Sequence, residues 1–241
     1  MTRFLALLAA VLLPSMSFAN SCDIDPDTLA ATYRITTTRS ADDASTRRML
    51  TLWRLPDRIA HAHPDDGYVD LWNRVPNNRY HLIRQFEEAR RGIEYEPNAV
   101  PTGAAHWTSL RELITPTHRE RLEKTGVSGD GCDRVETYRG EVEDTRQTLE
   151  WLPAYALPRS LVSSTDAATI AIELVAVRAD PEHVRSQFDR WSTFQTTDYA
   201  DIGDNESDPF LRKMIRLGFI QHGSSGFYDA SGQALDGGHH H

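Results

Sequence analysis

The 241-residue chain is 39% hydrophobic and 25% charged, ordinary values for a globular protein long enough to bury a real core. Its formal net charge of −9 and the lack of any Lys or Arg block argue against nucleic acid and anionic membrane surfaces as partners.

Residues 1–19 read as an export signal. Arg3 gives a positive start, Phe4 to Leu13 is apolar, Pro14 breaks the run, and Ser17-Phe18-Ala19 places small residues where a signal peptidase reads. Cleavage after Ala19 and a periplasmic location are expected. The run is too short to span a bilayer as a helix, and no second long apolar segment follows, so the mature chain is expected to have no membrane span. The residues before Cys22, Ala19-Asn20-Ser21, lack the aliphatic residue of a lipobox. Cys22 and Cys132 are the two cysteines, and in an exported chain the simplest pairing is one disulfide, tying the N-terminal segment to the loop before Val135. A metal site or redox pair is the alternative, although a redox pair usually has Cys-x-x-Cys spacing.

Strand patterns then follow closely: Tyr33–Thr38, Met49–Arg54, Arg58–His63, Tyr68–Val75, Arg79–Glu87 and Gly92–Glu96. Polar turns separate several of them, at Ala41-Asp42-Asp43, Asp65-Asp66-Gly67 and Pro76-Asn77-Asn78. The spacing predicts an antiparallel meander. Apolar residues occupy both faces (Leu52 and Trp53, Leu71 and Trp72, Leu82 and Ile83), so both sheet faces are expected to be covered. Trp107, Leu110, Leu113 and Ile114 recur at helical spacing, and Thr115-Pro116 reads as the cap of a further helix through Glu120 and Leu122 to Gly126. Strands resume at Arg134–Tyr138, Gln147–Trp151, Arg159–Ser163 and Thr169–Val177. Asp180-Pro181-Glu182 opens a helix with an apolar stripe of Val184, Phe188 and Trp191. Thr196–Ser207 reads as acidic and irregular, and Asp208-Pro209 opens a short helix through Leu217, with Leu211, Met214 and Ile215 on one side and Gly218 at its end. The chain beyond Gly223 is Gly- and Ser-rich. The expected organisation is a signal over 1–19, one domain over 20–195, and a C-terminal segment over 196–241 with a His-ending tail.

The run of hairpins, the helical insertion, and then strands carrying Trp151-Leu152-Pro153 and Leu157-Pro158 resemble the periplasmic lipoprotein-carrier superfamily over about residues 28–178. That superfamily includes the outer-membrane lipoprotein chaperone and a sensor domain regulating an envelope-stress anti-sigma factor. The resemblance implies an α+β, mainly antiparallel fold: a strongly curved sheet, or half-barrel, whose concave apolar face is covered by helices. It carries over no single functional residue.

Trp53, Trp72, Phe86, Tyr95 and Trp107 are the candidate lining of an apolar ligand cavity, although core filling accounts for any one of them. His61 and His63 share one face of a strand, a way to present two metal ligands to copper or zinc; polar residues at a strand end are the plainer reading. His239-His240-His241, with His222, add further imidazoles. Asp198, Asp201, Asp204, Asn205, Glu206 and Asp208 supply oxygens without the spacing of a helix-loop-helix calcium motif. Arg84, Arg90 and Arg91 balance Glu87 and Glu88, or grip a ligand carboxylate or phosphate. No nucleophile elbow, phosphate loop or dinucleotide fingerprint is present in the sequence. The resulting expectation is a non-catalytic periplasmic protein without cofactor. It binds or carries an apolar or lipid-like ligand, or senses an envelope component, with an envelope protein as a further partner. The alternatives are a copper or zinc protein, and a hydrolase whose site lies in the C-terminal segment around Asp201 and His222.

Overall fold

A computed structural model describes residues 22–77, 79–96, 101, 103–202 and 207–217. The expected signal, Asn78, Asp204, Asn205, Glu206, Gly218, His222 and the His-ending tail lie outside the described residues. Twelve strands form one sheet. The first six are β1 (Leu29–Arg39), β2 (Ser45–Arg54), β3 (Arg58–His63), β4 (Tyr68–Val75), β5 (Arg79–Phe86) and β6 (Arg91–Tyr95). They form the expected meander, each antiparallel to the next. The second run is β7 (Glu123–Ser128), β8 (Val135–Val142), β9 (Thr145–Leu152), β10 (Leu157–Ser164) and β11 (Ala168–Arg178). β11 returns to pair antiparallel with β1, which joins the two runs at the centre of the sheet.

The sheet curls. Trp72 on β4 and Leu149 on β9 are six strand positions apart in the sheet order, yet belong to one apolar cluster with Leu52, Tyr80, Leu161 and Ile172. Side chains that far apart meet only on the inside of a curved sheet. This is the half-barrel, and its inner face is closed by α1 (Ala104–Glu112) and α2 (Pro116–Glu120), which contribute Trp107 and Leu110 from α1, with Ile114 and Leu122 flanking α2. Leu113 ends α1 in a left-handed conformation (φ 58°), and the Thr115 side chain accepts the His118 backbone N–H at 3.1 Å to start α2.

Helices cover both faces. α3 (Pro181–Ser192), capped by Asp180, packs Val184, Phe188 and Trp191 on the outside of the curl against Ala30, Ala60, Val69 and Leu71. Strand alternation explains the two cores: Leu52, Trp72 and Leu82 point inward, and Trp53, Leu71 and Ile83 point outward. α4 (Pro209–Arg216) closes one end of the inner face, placing Leu211 and Met214 against Phe86 and Ile93.

Three sequence expectations are corrected. The helix expected to continue to Gly126 stops at Glu120, and the chain turns into the edge strand β7. β7 reads Glu-Lys-Thr-Gly-Val-Ser and is largely exposed, so no apolar alternation marked it as a strand. Thr196–Ser207 is not wholly irregular: β12 (Gln195–Asp198) pairs in parallel with β6, and Tyr199–Asp201 forms a 3-10 turn. A four-residue parallel edge strand draws its pairing from β6, distant in sequence, and carries no local period of its own. Ile215, expected on the buried side of α4, is 42% exposed.

Candidate functional site

The inner face of β2–β6 is built from parallel rows of directly opposed residues. One row is apolar: Ile59, Trp72, Leu82 and Tyr95 stand opposite one another across β3 to β6. The next runs Leu52, His61, Asp70, Arg84 and Ile93, so a His–Asp–Arg triplet lies between two aliphatic ends. The third contains His63, Tyr68 and Phe86 and borders the cluster closed by α4. A charged band thus divides the apolar inner face into two clusters.

Arg84 donates to both oxygens of Asp70, Nε–Oδ1 at 2.7 Å and Nη2–Oδ2 at 2.8 Å, and its guanidinium lies 4.6 Å from the Tyr68 ring centroid. Burial alone would lower the Arg84 pKa, but the Asp70 carboxylate outweighs it and raises the value. Burial pushes the Tyr68 and Tyr95 phenols up to about 12, which keeps them neutral. His61 Nε2 is 2.8 Å from the Leu110 carbonyl of α1; because a carbonyl only accepts, that nitrogen carries the hydrogen and donates. Desolvation pushes the His61 imidazole down to about 4, and burial lowers His63 as well.

The inner cover is fastened by side chains reaching its backbone. The Tyr80 hydroxyl donates to the Gly103 carbonyl at the start of α1, and its ring stacks on Trp107 at 5.1 Å. At the other end His61 holds Leu110, and Arg54 donates to the Arg111 carbonyl at 3.1 Å. Arg54 is fully buried and also donates to the carbonyls of Tyr155 and Ala156, in the turn between β9 and β10. Burial lowers its pKa to about 10, with Arg111 adding to the shift. Under α2, His118 bonds Gln147 on β9 at 2.6 Å and Arg119 lies 4.0 Å from the Trp151 ring.

The expected lining residues are distributed by strand alternation. Trp72 and Trp107 share the larger inner cluster, Phe86 lies in the cluster under α4, and Tyr95 touches both. Trp53 is on the outer face, edge-on to Trp191 at 5.7 Å, so an inner-face ligand does not meet it. His61 and His63 share the inner face but take different ring partners, Trp72 at 4.8 Å and Tyr68 at 4.6 Å. Among the described residues no group of three or more His, Cys, Asp or Glu is placed to hold a metal ion. Arg84 does not balance Glu87 or Glu88. It pairs with Asp70, Arg91 pairs with Asp208 at 3.1 Å, and Glu87 meets Trp191 Nε1 and Arg190. Composition left Arg54, Tyr80 and Asp70 unmarked; for Arg54 and Asp70 the available signal was a charged residue within a largely apolar strand. Cys22 and Cys132 are disulfide-bonded. In the acidic stretch Asp198 accepts the Ala200 N–H, and Asp208, expected at the start of a helix, caps α4 through the Phe210 N–H.

The position of His61 has a pH consequence. In the unfolded chain its pKa is near 6.5 and in the folded chain about 4, so acidification protonates the unfolded state first. Stability contributed by the neutral buried imidazole is complete above about pH 6.5, falls as pH drops through the window, and is lost by about pH 4, a total of up to about 3 kcal/mol. Urea titrations at pH 7 and pH 5 are expected to show about 2 kcal/mol of this loss in the parent. His61→Gln, which retains an N–H donor for Leu110 but no titration, is expected to show a smaller loss; an unchanged loss sinks the assignment.

No family model matches the sequence, and no curated protein does. Solved structures similar in architecture include an outer membrane lipoprotein-sorting protein domain from Vibrio parahaemolyticus (8% identity, 69% of this chain and 92% of that one, TM-score 0.32). A LolA superfamily protein from Nitrosomonas europaea is similar at 7% identity over 66% of this chain and 90% of that one, TM-score 0.25. PNGF-II is similar at 11% identity over 70% of this chain and 31% of that one, TM-score 0.34. Likeness at this level assigns no activity, ligand or partner to this chain.

Proposed function

We propose that this chain is a non-catalytic periplasmic protein that binds or carries an apolar or lipid-like ligand, or senses an envelope component, on the inner face of its curled sheet. The observation that supports this most is how the face is closed. Trp72 and Tyr80 lie buried beneath α1, which packs its own Trp107 on Tyr80, and side chains of Arg54, His61 and Tyr80 bond to backbone carbonyls at the two ends of that helix. Burial of apolar surface is not directional, so an acyl chain can replace α1 against the same rings, whereas strand pairing has no such substitute. Ligand entry on this reading requires α1 to move, and Arg54, which also ties it to the turn between β9 and β10, restrains it together with His61 and Tyr80. The export-signal pattern of residues 1–19 and the Cys22–Cys132 disulfide support a periplasmic location.

Native mass spectrometry of protein purified from the periplasm is expected to find a bound lipid or fatty acid. Arg54→Met is expected to speed exchange of a fluorescent fatty acid by roughly tenfold, the effect of removing about 1.4 kcal/mol of restraint. Tyr80→Phe, which deletes one bond to α1, is expected to act in the same direction and more weakly. A preparation free of ligand that also fails to bind the fluorescent fatty acid, in the parent and both variants, overturns the proposal.

A further inference from the structure

α4 is held firmly and presents one arc of its surface to solvent. Asp208 accepts the Phe210 N–H at 2.8 Å and pairs with Arg91, whose guanidinium also lies 4.8 Å from the Phe210 ring. Leu211 and Met214 are buried against Phe86, Ile93 and Ile202. The remaining side chains are exposed: Arg212, Lys213, Ile215, Arg216 and the C-terminal cap Leu217. At the helical step the three cations fall within an arc of about 100°, with Ile215 on one flank and Leu217 on the other. Ile215 is 42% and Leu217 57% exposed, two of the four large hydrophobic residues so exposed among those described. None of the three cations takes part in a salt bridge among the described residues.

We infer that this arc of α4 is a docking surface for an anionic phospholipid bilayer. Three cations facing one way, in no ion pair among the described residues, attract a surface of negative headgroups, and two aliphatic side chains at the same level reach the headgroup boundary. The net charge of −9 does not forbid this, because exposed charges more than about 8–10 Å away are screened at physiological salt. The whole-chain balance therefore concealed a local patch: folding gathers residues that stand singly or in pairs in the sequence onto one arc. Leu211 and Met214 fix its direction, so the patch is presented without further ordering. The inference holds whether or not the inner face carries a ligand.

Co-sedimentation of the full chain with vesicles tests it. Vesicles of phosphatidylglycerol and phosphatidylethanolamine are expected to bind the protein, and vesicles of phosphatidylcholine alone are not. Each cation contributes roughly fivefold, so R212E/K213E/R216E is expected to weaken binding by at least about 100-fold. R212Q/K213Q/R216Q removes the charge without adding repulsion and is expected to weaken it less. Ile215→Ser with Leu217→Ser is expected to reduce the fraction that remains bound at raised salt. An unchanged thermal midpoint shows that each variant is folded. No binding by the parent, equal binding to phosphatidylcholine, or undiminished binding by the charge variants overturns the inference.

Discussion

Arg84→Met is expected to lower the unfolding free energy by about 3–5 kcal/mol, because it leaves the Asp70 carboxylate buried without its partner. Arg84 and Asp70 are 8% and 2% exposed, and the two N–H···O contacts between them are parallel and short. Removing the cation strands the anion between Tyr68 and Trp72, its same-face neighbours on β4, neither of which carries a positive charge to replace it. The loss also removes the guanidinium from the Tyr68 ring. Asp70→Leu combined with Arg84→Met is expected to recover most of the stability, since two apolar side chains suit the Leu52 and Ile93 ends of the same row. Urea midpoints of the parent, the single variant and the pair decide the matter. A single variant costing under about 1 kcal/mol means that water reaches the band and that it is not a buried ion pair in solution.

The strands of the meander were legible because their residues are apolar, β-branched or aromatic and their turns are polar. Arg58–His63 and Tyr68–Val75 have the limits that their side-chain patterns imply. The two-faced burial was legible from neighbouring apolar pairs such as Leu71 and Trp72. Alternation sets Trp53 opposite in direction to Leu52, but only the register of β2, β3 and β4 decides that Trp72 shares the side of Leu52. What stayed hidden depends on partners distant in sequence. β7 and β12 are edge strands whose residues are mostly polar, and only hydrogen bonding to β8 and β6 defines them. Asp70 and Arg84 are fourteen residues apart, and only the exact register of β4 on β5 sets one opposite the other. Arg54 was invisible for another reason. Its partners are backbone carbonyls of Arg111, Tyr155 and Ala156, which have no sequence identity to read.

Separate replacement of Cys22 by Ser and of Cys132 by Ser is expected to cost about 4–5 kcal/mol each, the loop-closure value for a cross-link spanning 110 residues. Topology explains why the link lies where it does. Cys22 precedes the start of β1, and Cys132 lies in the short turn before β8. β1 and β8 are separated in the sheet by β11, β10 and β9, a path of about 19 Å at the usual strand spacing. Residues 22–29 are not fully extended, since the Thr28 N–H closes a turn on the Asp25 carbonyl, and together with the disulfide they connect Cys132 to the start of β1. The disulfide therefore straps two strands that the sheet itself holds four steps apart, and it opposes flattening of the curl as well as restricting the unfolded chain. Urea unfolding with and without reductant separates these contributions: the reduced parent and both Ser variants should have the same midpoint, well below the oxidised parent. On reduction under native conditions, amide exchange is expected to rise first in β8 and β9, the strands next to the Cys132 end of the strap. If reduction leaves the midpoint unchanged, hydrogen bonding and the inner apolar cluster alone hold the curl, and the strap has no mechanical role.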